Sequence, residues 1–80
     1  MIPLYGFLEG DTIGLIVLAQ PEDTMATLAD KLQSAASVRV PRRQNVAVVH
    51  RHRTLDPEST VTQAGLAALD RFDVVAVRGT

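Results

Sequence analysis

Met25, Leu28, Ala29, Leu32 and Ala36 stand at i, i+3, i+4, i+7 and i+11, which draws one apolar stripe along the side of a helix. Thr27, Asp30, Lys31 and Ser34 fall on the opposite side. Asp23 or Thr24 can cap the free amide groups of its first turn, and the acidic Pro21-Glu22-Asp23-Thr24 segment suits the positive helix end. Ser37 begins to break the stripe and Pro41 cannot continue it. This is the only long helical pattern in 80 residues, so its stripe has to be buried against something other than a second long helix.

The flanking segments supply that surface as β-strands. Leu4, Gly6 and Leu8 alternate with Tyr5 and Phe7, and Thr12–Leu18 forms a second β-rich run after the short polar Glu9-Gly10-Asp11 segment. The two read as an antiparallel hairpin, with Gly6, Gly10 and Gly14 marking a bulge or a close approach. Val46–His50 is short, β-branched and nearly continuous, which predicts a third strand. Arg51–Leu55 turns and adds a strand stub, and Asp56-Pro57-Glu58-Ser59 is turn chemistry. Thr60–Leu66 predicts one capped helical turn stopped by Gly65, Ala67–Arg71 a linking turn, and Phe72–Val77 a closing strand. The order β-β-α-β-short helical turn-β predicts an α+β chain: one main helix on one face of a mixed four- to five-stranded sheet. That is the β-grasp, or ubiquitin-like, arrangement, here expected as a single domain over residues 1–80.

Composition limits the function classes. A chain of 8.6 kDa hides only about 60% of its unfolded surface. With 46% apolar residues it can still build a core, unlike a disordered tail. The absence of cysteine excludes disulfides, thiolate metal sites and a thiol nucleophile. A net charge of −1 creates no overall field for nucleic acid or an anionic membrane. The longest apolar run, Leu15–Ala19, is far below the roughly 20 residues that span a bilayer. Met1-Ile2-Pro3-Leu4 lacks the basic start of a secretory leader, so a cytoplasmic protein without membrane insertion is expected.

Catalytic chemistry is sparse. His50 and His52 would share one face of a strand, but no third ligand is near in sequence before Asp56, and exposed histidines on an edge or loop explain them as well. No serine sits in a nucleophile elbow, and the glycines form no phosphate loop. Asp70 and Asp73 bracket a strand start rather than forming an acid–base pair.

Charge distribution says more than the total. Lys31, Arg39, Arg42, Arg43, Arg51 and Arg53 occupy a stretch from Lys31 to Leu55 that contains no acid. Arginines make planar bidentate contacts with carboxylates, so a basic side fitted to an acidic patch on another protein is expected, although a solvated charged loop would look the same. On an alternating strand Val49 and Ala47 would face outward beside the arginines, while Val48 and Val74 lie in the interior. Candidate partner-binding residues are therefore Arg39, Arg42, Arg43, Val49, Arg51 and Arg53. Nucleic acid fits poorly, since Tyr5, Phe7 and Phe72 all lie outside the basic stretch.

The order of signals also carries a family resemblance. Asp23-Thr24-Met25, Ala29-Asp30-Lys31, Arg39-Val40-Pro41-Arg42, Val46-x-Val48, His50-Arg51-His52-Arg53, Asp56-Pro57, Thr60-Val61, Ala64-Gly65-Leu66 and Phe72-Asp73-Val74-Val75 follow one another in this sequence. Together they resemble the B (gamma) subunit family of the bacterial toluene monooxygenase hydroxylases. The resemblance implies a non-catalytic accessory subunit bound to the large hydroxylase subunit, with the di-iron centre and substrate channel in that partner and no cofactor here. Met1–Leu8 matches the family less well. Two alternatives share the fold: a stand-alone ubiquitin-like interaction module, for example a secretion-associated one, and a sulfur carrier or conjugated modifier. The latter needs a C-terminal Gly-Gly, whereas this sequence ends Val77-Arg78-Gly79-Thr80.

Overall fold

In the computed structural model, which describes residues 1–77, the chain runs β1 (Ile2–Leu8), β2 (Gly14–Ala19), α1 (Met25–Ala35), β3 (Val46–His50), β4 (Arg53–Thr54), α2 (Val61–Ala64) and β5 (Arg71–Ala76). The C-terminal Arg78-Gly79-Thr80, on which the carrier alternative depends, lies outside the described residues. The sheet order is β2-β1-β5-β3-β4. β1 and β5 run parallel at its centre, and the other pairs are antiparallel. This is the mixed sheet with one main helix expected of a β-grasp chain, with β4 as its fifth strand.

Alternation decides which face meets the helix. Leu4, Gly6 and Leu8 of β1, Val17 and Ala19 of β2, Val48 of β3, and Phe72 and Val74 of β5 are all buried. They pack with the α1 stripe of Met25, Leu28, Ala29 and Leu32. Leu28 and Leu32 have no exposed surface, so each contributes about 2 kcal/mol by leaving water. At Gly6 the absence of a side chain is structural: an added Cβ would lie 2.8 Å from Phe72 Cζ and 2.9 Å from Leu32 Cδ1.

The helix starts resolve one choice the sequence leaves open. Thr24, not Asp23, caps α1, its Oγ1 accepting from Thr27 N at 3.2 Å. Asp23 instead accepts from Gln20 N at 2.9 Å and from Lys31 Nζ at 2.6 Å. α1 ends at Ala35, with Ala36 as its C-cap. Buried Gln33 then pins the following segment, donating to the Arg43 carbonyl at 3.1 Å and accepting from Arg43 N at 2.8 Å.

Two strands, β2 and β5, differ from expectation in their bounds. β2 begins at Gly14 rather than Thr12, because Asp11 Oδ1 accepts from Thr12 N at 2.8 Å and holds the connection as a loop. β5 begins one residue early, at Arg71, where it joins the ladder opposite Tyr5, and it ends at Ala76.

Candidate partner-binding surface

Among the described residues, no helix packs on the sheet face turned away from α1. Ile16, Tyr5 and Arg71 align across β2, β1 and β5, and Gly14, Phe7, Asp73, Val49 and Thr54 form a row crossing all five strands. Tyr5, Ile16 and Leu18 are 43%, 49% and 52% exposed, too much for residues whose only role is a core. Phe7 lies against Gly14, where an added Cβ would sit 2.6 Å from the ring. The Arg71 guanidinium stacks 4.0 Å from the Phe7 ring centroid and donates to Asp73 at 3.0 and 3.2 Å. Asp73 raises the pKa of Arg71 above its ordinary value through this hydrogen bond. The charges of Arg71 and Asp73 therefore pair with each other, and the largest exposed groups left on the face, Tyr5, Ile16 and Leu18, are mainly apolar.

Val49 and Ala47 are half-buried and belong to this outward face, while Val48 and Val74 are interior, as the alternation predicts. Tyr5, Ile16 and Leu18 are absent from the sequence-based candidates, yet they add the largest exposed apolar groups. Their signal was available: alternation in β1 and β2 that puts large apolar residues opposite a buried set.

The basic stretch does not form one basic side. Arg39 holds Asp11 from two nitrogens, at 2.8 and 3.0 Å, drawing the Asp11 pKa down and its own up. Arg42 pairs with Asp30 and donates to Ser34 Oγ at 3.1 Å. Arg43 Nη1 reaches the Glu9 carbonyl and Oε1, both at 3.3 Å. These acids come from the β1–β2 loop and from α1, so charges separated along the chain are interleaved in space. Arg42 and Arg43 border a cleft of about 790 Å³ between α1 and β3, lined by Met25, Ala29, Val46 and Leu55. Arg51 and Arg53 border a smaller one of about 360 Å³ with Ser59 and Gln63. The six candidates thus divide into Arg39, Arg42 and Arg43 beyond the end of α1, and Val49, Arg51 and Arg53 around the β3–β4 turn.

The two histidines do not share a strand face. β3 ends at His50, whose Nδ1 lies 2.9 Å from the Arg71 carbonyl oxygen. His52 is in the turn at φ 66°, a left-handed backbone that ends the alternation. Among the described residues, no group of three or more His, Asp or Glu stands where it could hold a metal ion. No helix among them is long and apolar enough to cross a membrane.

Residues 1–76 match the family model described as toluene-4-monooxygenase system protein B. None of the curated proteins matches the chain. Among solved structures, a chain of the toluene 4-monooxygenase HD complex with the inhibitor 4-bromobenzoate superposes with a TM-score of 0.88 at 22% identity, covering 95% of this chain and 98% of that one. The ubiquitin of Caldiarchaeum subterraneum gives 0.77 at 16% identity, covering 98% and 95%. A chain from a structure concerning molecular mimicry of SUMO in DNA repair also gives 0.77, at 19% identity, covering 92% and 89%. At these identities the structural likenesses establish the ubiquitin-like β-grasp fold.

Proposed function

Because this chain belongs to the toluene-4-monooxygenase system protein B family, we propose that it is a non-catalytic accessory subunit that binds the large subunit of a di-iron aromatic monooxygenase hydroxylase. The observation that carries the reading is a family match running over nearly the whole of the chain. The uncovered face of Tyr5, Ile16 and Leu18 supports it, since apolar groups half-exposed in one patch suit a permanent partner. In this reading residues 1–80 act as one β-grasp unit in the cytoplasm, and the irons and the oxidised substrate belong to the larger chain. The contact draws on Val49 and on Arg39, Arg42, Arg43, Arg51 and Arg53 around the sheet. For Arg39, Arg42 and Arg43, a partner carboxylate would have to displace or share an ion pair already made.

The test is co-expression of the tagged chain with the large hydroxylase subunit encoded beside it, followed by affinity and size-exclusion chromatography. A stoichiometric complex is expected, with lower hydroxylase yield or activity when this chain is omitted. A large subunit that elutes alone and stays active overturns the proposal. Recovery of secretion components from native lysate instead would support the stand-alone module.

A further inference from the structure

Among the described residues, Lys31, Arg39, Arg42, Arg43 and Arg71 each pair with a carboxylate of this chain. Arg51 and Arg53 make no ion pair among the described residues, and with His52 between them they are exposed at the turn joining β3 to β4. Two acids, Asp70 and Asp73, line a cleft with Arg51, and neither forms an ion pair with it. Asp73 is held by Arg71, and Asp70 accepts from Ala67 N at 2.9 Å. On the other side, Ser59 and Gln63 are uncharged, and Gln63 is committed to the start of α2.

The backbone supplies a second, independent observation. Arg51 and His52 have φ of 51° and 66°, the positive values a tight two-residue hairpin turn requires at both central positions. Such turns favour Asn-Gly, because a side chain crowds the carbonyl in this conformation. Here the strained positions carry an arginine and a histidine, so local stability is given up where the charge is concentrated.

We propose that the Arg51-His52-Arg53 turn is the electrostatic anchor by which this chain grips a carboxylate-bearing segment of the large hydroxylase subunit, with outward-facing Val49 as the adjoining apolar contact. This rests on the accessory-subunit reading. The guanidinium fork matches a carboxylate bidentately, and among the described residues no carboxylate forms an ion pair with these two. A nucleic acid backbone is disfavoured because the net charge is −1 and, among the described residues, Glu22, Asp56, Glu58 and Asp70 make no ion pair, with Asp70 lining a cleft beside Arg51.

The experiment measures binding of the full chain to purified large subunit by surface biosensor, at low and high salt. Three variants are compared with wild type: R51A/R53A, R51E/R53E and R51N/H52G. Charge reversal is expected to weaken binding by at least about tenfold, mostly through slower association, and to flatten its salt dependence. R51N/H52G, with the turn relieved of strain, is expected to melt above wild type and yet bind more weakly, which separates lost contact from lost folding. Variants that bind as tightly as wild type, with the same salt dependence, overturn the anchor while leaving the subunit reading standing. A wild-type chain that does not bind the large subunit overturns both. Retention of a labelled oligonucleotide by wild type, lost in R51A/R53A, would assign the turn to nucleic acid and overturn the protein partner.

Discussion

Thr24 and Thr60, far apart in the chain, face each other as an isolated antiparallel bridge, and each is the N-cap of its own helix. The exchange extends to the backbone. Met25 N and Ala26 N, at the start of α1, donate to the carbonyls of Ser59 and Pro57 ahead of α2. Val61 N and Thr62 N, at the start of α2, donate to the carbonyls of Asp23 and Pro21 ahead of α1. Amides that a helix start leaves without partners are thus satisfied by the approach to the other helix.

The two caps should therefore behave as a coupled pair. Thr24→Ala and Thr60→Ala should each lower stability by about 1 kcal/mol, and the double variant should depart from additivity by about 0.5 kcal/mol or more. Urea unfolding of the four proteins measures this. Strict additivity would show that the bridge transmits nothing between the helices.

Acid should weaken the fold through two carboxylates. Arg39 lowers the Asp11 pKa from its ordinary 3.8 through hydrogen bonding. The Gln20 amide, and then Lys31, lower that of Asp23. A folded pKa below the unfolded one stabilises the protein above the unfolded value, and that stability is lost as pH falls through the folded value. The melting temperature should hold near neutrality and drop below about pH 4. D11N/D23N should start lower and fall less steeply over that acid range. An identical acid slope in that variant would remove these pairs from the account.

Glycine substitutions should separate packing from backbone strain. Gly6→Ala drives a methyl into Phe72 and Leu32, an overpacking cost of about 1–3 kcal/mol. Gly65→Ala meets nothing within 4 Å but must hold φ +74°, at about 1 kcal/mol. Gly65→Asn should recover part of that loss, since Asn tolerates the left-handed region better. Equal stability for Gly65→Ala and wild type, by thermal melts, would count against the strained C-cap.

Much of the fold is legible because its signals are local. The α1 stripe, the Thr60 cap with Gly65 behind it, the alternation in β1 and the β-branched run of β3 are periodic or positional patterns that contacts a few residues apart enforce. The same alternation identified Val49 as outward-facing. It contains the outward placement of Tyr5, Ile16 and Leu18 as well, but their exposure follows only from the fold, in which no second layer among the described residues covers that side of the sheet.

Charge was where local reading failed. A stretch with six cations and no acid predicts a basic side, but Arg39 meets Asp11 and Arg43 meets Glu9 only because the β1–β2 loop folds back on the segment after α1. Coulombic partners are chosen by distance in space, and sequence separation carries no information about it. Likewise, nothing in Arg51-His52 announces a left-handed turn, since the residue preferences there point elsewhere. The elements, their order and the apolar stripe of α1 can be read from the sequence, because hydrophobic period and caps act over one or two turns of chain. Which arginines pair internally, and that Arg51 and Arg53 do not among the described residues, depends on where distant loops come to rest.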